Sequence, residues 1–317
     1  TDKAGNNNYL NDGATGDNAL AAGVSAVATG NNATAVGTNT YASGEDASAY
    51  GYRAAAMGKD SVSIGSGTSA QQEGSVAIGG HAQGDHAVEV GYGSTAQGSY
   101  STSVGGHAIG NDSIAIGSDY RSNRVSAAGS SSIAIGGYTN SDYNVAIGSG
   151  SSTSGQYAIT VGGSATSDHA VSIGGVAGNL QATAVGSGSS ATGQQSTAIG
   201  TYSAVTGSQA VAVGGTASGD NAVSVGGVAS NNATAVGRGS TAKGTNSTAV
   251  GGQAGDLYAT AVGQGANATY VYTTAVGYNS VASGSYSTAL GYGTSAQGSN
   301  STAIGGASAK GTNVTAI

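Results

Sequence analysis

Valine and isoleucine come in brief bursts along this chain, each alternating with a small residue and ended by glycine, as in Ser75-Val76-Ala77-Ile78-Gly79 and Ser113-Ile114-Ala115-Ile116-Gly117. Alternation with a period of two belongs to strands, and the bursts are too short and too rich in β-branched residues for helices. The pattern therefore predicts strands throughout and no helix. The glycines that close the bursts, from Gly23, Gly37, Gly51 and Gly65 to Gly277, Gly291 and Gly305, lie almost always 14 or 12 residues apart. One small unit copied along a whole chain is the signature of a solenoid.

Within most units a second glycine precedes the next strand-closing one by seven residues, as from Gly44 to Gly51, Gly98 to Gly105 and Gly193 to Gly200. The other half runs seven residues from Gly91 to Gly98 but five from Gly79 to Gly84. A difference of two keeps every inward side chain inward, whereas a difference of one turns the rest of the strand inside out. Two units depart from the rule. Gly226 to Gly237 is one residue short of the 12-residue unit and predicts a local bulge. Gly117 to Gly136 is five residues longer than the 14-residue unit and predicts a protruding loop at 119–124, Asp119-Tyr120-Arg121-Ser122-Asn123-Arg124. The second glycine is replaced at Asn179, Asn231 and Asp256, with exceptions such as Ser167 and Tyr270. Gly, Asn and Asp reach positive φ at low cost, so these places read as obligatory turns. The whole chain, 1–317, reads as one repeat-built domain with an irregular N-terminal cap at 1–12.

On this reading Val and Ile fill a thin interior, while the alternating Ser, Ala and Gly face outward and invite close approach by another backbone. Strands covered on both faces carry apolar or small residues on both, so the coils are expected to pack against identical chains in a closed cyclic arrangement. Composition agrees with a chain that is nearly all ladder: 59 glycines and no proline, cysteine, phenylalanine or tryptophan. The formal net charge of −7 repels a phosphate backbone, which sets nucleic acid aside. No apolar run is long enough to span a bilayer and no export leader opens the chain, so no direct membrane contact is expected of this segment. The chain stops in phase at Thr315-Ala316-Ile317, as a piece of a longer array would. At about 4.8 Å per stacked strand, a little over twenty coils make a rod on the order of 100 Å long.

The repeat resembles the YadA-like head domains of trimeric autotransporter adhesins, whose strand motif Asn-Ser-Val-Ala-Ile-Gly-x-x-Ser is matched by Asn300-Ser301-Thr302-Ala303-Ile304-Gly305-Gly306-Ala307-Ser308. Ser75–Gly79, Ser113–Gly117, Ser132–Gly136 and the many Thr-Ala-Val-Gly copies fit the same motif, from about residue 13 to the end. The resemblance implies an all-β fold, a left-handed parallel β-roll solenoid of 12- and 14-residue coils assembled as a homotrimer. It implies a non-catalytic adhesin head at the tip of a fibre anchored in the bacterial outer membrane, with stalk and anchor elsewhere in the full protein. Its implied partners are host extracellular-matrix or cell-surface proteins (collagen, fibronectin and laminin at the level of the family), other bacteria and abiotic surfaces.

Candidate contacts are few. Tyr52, Tyr92, Tyr278 and Tyr292 follow strand-closing glycines in turns, either as amphipathic binding groups or as rings stacked on neighbours to protect the roll. Tyr120, Arg121 and Arg124 sit on the insertion, where a loop on a rigid scaffold carries function or is simply tolerated. His81 and His107 share one place in their units and His86 and His169 another, as repetition alone produces; no converging ligand set points to a metal, and no cofactor is implied. No nucleophile elbow with His and Asp partners stands out, so no enzyme is expected. An ice-binding solenoid is the alternative, because Thr34, Thr183, Thr197, Thr234, Thr248 and others recur at one strand position. That row is broken by Val and Ile, and its place beside them argues for the interior rather than a flat exposed face. Halves of seven and five do not fit the six-residue rhythm of hexapeptide acyltransferases, and the Asp ladder of calcium-loaded rolls is missing.

Overall fold

The structure, a computed structural model, describes residues 12–117 and 125–317, and these form two compact units, one ending at Gly162 and the other running from Gly163 to Ile317. The cap at 1–12, apart from Asp12, and the insertion at 119–124 lie outside the described residues. No helix occurs among the described residues.

Both units are built the same way. Each coil contributes one three-residue strand and one two-residue strand, such as Val76–Ile78 and His81–Ala82. The three-residue strands stack in parallel as one sheet, Val76–Ile78 lying between Val62–Ile64 and Val88–Val90. The two-residue strands stack as a second sheet, His81–Ala82 lying between Ser69–Ala70 and Thr95–Ala96. We call these sheet 1 and sheet 2. The second unit repeats the arrangement, for example with Thr248–Val250 between Thr234–Val236 and Thr260–Val262. The chain is an all-β parallel β-solenoid.

The parity of the strands is the reverse of the expected one. Ala77 is fully buried whereas Ile78 keeps 39% of its surface exposed, and the same holds at Ala115 and Ile116. The interior is mostly alanine and serine, with some threonine: Ala70, Ala77, Ala82, Ala87 and Ala96, drawn from both sheets, form one buried cluster. Val and Ile of the sheet 1 strands face outward, while Val125 and Val205 are buried. The narrow interior favours small side chains without excluding branched ones, since Val205, Thr139 and Thr160 are fully buried in it. Many buried serines hydrogen-bond inside the coil, Ser61 and Ser113 donating to the carbonyls of Gly58 and Gly110 at 2.7 and 2.6 Å.

Gly37 closes its strand at φ 138°, a conformation open to glycine and strained for other residues. The second glycine has a different reason from the one expected. At Gly44 the backbone is not left-handed; a Cβ there would overlap the carbonyl of Gly58 in the next coil. Positive φ falls two residues further on, at Asp46 and its counterparts Asn32, Asp60 and Tyr100. Each such residue is third in a turn closed by bonds like Ala47 N–H to the Gly44 carbonyl at 3.3 Å.

Irregular units leave the sheets intact. Ala115 pairs with Ala134 and Ala108 with Ala127 across the long unit. In the short unit Ser224 pairs with Ala235 and Val228 with Thr241 without a bulge. The missing residue is the one that normally precedes the turn, so Ser230-Asn231-Asn232-Ala233 closes directly, Ala233 N–H donating to the Ser230 carbonyl at 3.0 Å. Asn231 is thus a turn residue and not the stand-in for the second glycine.

Candidate binding surface

Three outward surfaces result from this parity. On sheet 1 the third residue of each strand builds an aliphatic ladder, including Ile64, Ile78, Ile116 and Ile135 in the first unit and Ile199 and Val213 in the second. These side chains are 39–41% exposed. Beside them runs the column that holds Thr34, Thr183, Thr197, Thr234 and Thr248, half-buried and pointing outward. The expectation that these threonines lie inside is overturned by the reversed strand parity, which puts their column on the same outer face as the aliphatic ladder. The outer face of sheet 2 is more polar, with His81, Thr95 and His107 side by side and Thr241, Gln253 and Asn267 further along.

The turns form the remaining surface. Tyr92 is almost wholly exposed, and Tyr278 stacks on Tyr292 at 5.5 Å between ring centroids. Tyr52 lies under the Arg53 guanidinium at 5.1 Å. Sequence reasoning named these but missed a second set on the opposite turns. Tyr258, Tyr272 and Tyr286 stack at 4.8 and 5.2 Å, Tyr143 stacks on Tyr157 at 4.8 Å, and His86 on Tyr100 at 5.0 Å. Their signal was available: 258, 272 and 286 are one 14-residue unit apart. Amides occupy the same column elsewhere, Gln209 donating to Gln195 and Gln195 to Gln181 at 3.1 and 3.0 Å. Tyr120, Arg121 and Arg124 fall outside the described residues.

In the motif copy at the end of the chain, Asn300 holds the positive-φ turn place, and Ser301 and Ala303 are buried. Ile304 faces outward, Gly305 has φ 70°, and Ser308 starts the sheet 2 strand. His81 and His107 point outward from sheet 2, while His86 and His169 hold positive-φ turn places. No three metal-ligating side chains converge among the described residues.

Among the described residues one acidic side chain is enclosed. Glu89 takes the interior place that Ala77 and Ser103 hold on the strands beside it, and is fully buried. Gly80 N–H donates to its Oε2 at 2.8 Å and Ser94 Oγ donates to Oε1. Burial pushes its carboxyl above the ordinary range, and the bonds from Ser94 and the backbone only partly offset this.

The described coil geometry coincides with a known family. The YadA head domain repeat (2 copies) matches at residues 14–40, 28–54, 42–67, 56–82, 82–108, 177–203, 191–216, 230–254, 257–280, 271–294 and 282–308, more than half of the chain. The chain belongs to the YadA head family. YadA heads are non-enzymatic, surface-exposed bacterial adhesin domains, and this chain is an adhesin-type domain by that membership. Among curated proteins none matches it.

Proposed function

We propose that this YadA head is a left-handed β-roll that works as a homotrimer on the bacterial surface, at the tip of a fibre anchored in the outer membrane, and attaches the cell to host matrix or cell-surface proteins. Collagen, fibronectin and laminin are the first candidates, with other bacteria and abiotic surfaces beside them. The observation that carries the reading is the uncovered aliphatic ladder on sheet 1. A contiguous apolar strip of this length marks an interaction surface, and a strip that repeats coil by coil fits a strip of the same spacing on a sister chain. Covering it leaves sheet 2 and the turn tyrosines for an outside partner. Attachment by an extended surface needs no catalytic group.

The test is a binding panel of the assembled protein against the three matrix proteins, bacterial cells and plastic, with thermal hysteresis read in the same preparation. Saturable binding to at least one matrix protein, together with no hysteresis, is expected. Hysteresis with no attachment anywhere on the panel would replace the adhesin reading by the ice-binding one.

A further inference from the structure

The coil that begins at Gly251 lacks the dipeptide that makes the long turn of its neighbours. On either side the chain runs Gly237-Arg238-Gly239-Ser240 and Gly263-Gln264-Gly265-Ala266 before entering sheet 2; here Gly251-Gly252 leads straight into Gln253. The result is a gap one coil wide between two projecting turns. Those turns are two strand spacings apart, about 9–10 Å between centres, which leaves an opening of roughly 5 Å, the thickness of one sugar ring. An open depression of ≈ 230 Å³ occupies it, and a second of ≈ 350 Å³ adjoins it on the outer face of sheet 2. Gly239, Gly251, Gly252 and Gly265 line the first, Thr241, Lys243 and Thr269 the second, and Gln253 and Asn267 line both.

The chemistry of this lining selects its ligand. Thr241, Gln253 and Asn267 stand at one outward place on adjacent strands, and Thr269 Oγ1 donates to Asn267 Oδ1 at 3.2 Å, which orients that amide. The strand backbone is already used: Thr241, Gln253 and Asn267 N–H donate to the carbonyls of Gly252, Ala266 and Ser280 at 2.9, 2.8 and 2.8 Å. A peptide therefore has no sheet edge to extend, and the glycine walls give it no apolar pocket. Side-chain amides and hydroxyls both donate and accept, as vicinal sugar hydroxyls do. Charge narrows the class. Lys243 lines the second depression, and Arg238 is the chain neighbour of Gly239, which lines the first. With Lys310 they are the only cations in the sequence from 163 to 317.

We propose that this gap binds one anionic hexopyranose unit of an oligosaccharide. Gln253, Asn267 and Thr241 hold its hydroxyls, and Lys243 its carboxylate or sulfate. The site goes beyond attachment to matrix proteins and stands without it, since its loss leaves the remaining surface intact. The test is calorimetric titration of the wild-type protein with sialyllactose, a heparin hexasaccharide and neutral lactose. One of the two acidic probes is expected to bind at least tenfold more tightly than lactose, and which one does so separates carboxylate from sulfate recognition. Gln253→Ala with Asn267→Ala is expected to weaken binding at least tenfold, and Lys243→Ala to remove the preference over lactose. Inserting Ser-Gly after Gly251 restores a 14-residue coil, keeps strand parity, fills the gap and is expected to abolish binding. Thermal melting confirms that each variant folds, and the exposed Lys243→Ala keeps the test valid should the insertion fail. Absence of binding by both acidic probes, equal affinity for lactose, or affinities unchanged in the variants would overturn the proposal.

Discussion

Replacing Ile64, Ile78, Ile116 and Ile135 together by threonine removes four rungs of the sheet 1 ladder while keeping a branched β-carbon at each, so the strands themselves are retained. About two fifths of each isoleucine is uncovered in the single chain. Full burial of such a side chain contributes roughly 1.5–3 kcal/mol, so covering the remainder contributes about 0.6–1.2 kcal/mol per rung and about 2.4–4.8 kcal/mol per chain. Across three chains the total is about 7–14 kcal/mol, and each 1.4 kcal/mol is tenfold in the dissociation constant. Because the concentration at half-dissociation of a trimer follows the square root of that constant, it is expected to rise by at least about two decades. Sedimentation over a dilution series, with circular dichroism as the control for folding, measures this. A wild-type protein that stays a single folded chain at the highest concentration, or a variant that dissociates where the wild type does, refutes the argument that the ladder is a self-association surface.

Two further outcomes follow from single residues. In urea titrations Gly44→Ala is expected to lose about 3 kcal/mol or more, because its methyl meets backbone that cannot step aside. Gly67→Ala, whose methyl meets open space, is expected to lose only about 1 kcal/mol for its left-handed backbone; equal losses at the two sites would disprove the close-approach account. Glu89, with its carboxyl raised by burial, holds its proton in the folded chain at pH values where the unfolded chain has released it. Stability is therefore expected to fall as pH climbs from the ordinary carboxylate range through the folded value and to level off above it. Glu89→Gln should abolish this step, and a variant with the wild-type pH dependence of its denaturation midpoint would place the cause elsewhere.

The repeat, the parallel coils and the tolerance for a change of two residues are all legible in glycine spacing, because glycine is demanded where φ is positive or backbones touch. The direction in which Val76 and Ile78 point is not. Period two separates two faces without saying which is inside, and the usual preference for buried aliphatics gave the wrong sign. The separation of the two sheets favours small residues between them, and no pattern along the chain states that separation. The tyrosines after strand-closing glycines were readable one at a time, whereas the stack of Tyr258, Tyr272 and Tyr286 required counting by whole units. The gap at Gly251 is written as a missing dipeptide, yet its meaning appears only once the flanking turns are seen to project.

An interior made mostly of alanine, serine and threonine gives one coil little by which to recognise its proper neighbour. A chain of such interchangeable layers can begin to wind at many places and can skip a layer without a clash. The irregular features then act as landmarks: the longer unit between Gly117 and Gly136, the shorter one between Gly226 and Gly237, and Glu89 reaching for Gly80 and Ser94. A carboxyl group displaced by one layer would lose the pairing with Gly80 and Ser94 that it makes in its own, so the one enclosed acidic side chain also counts the layers.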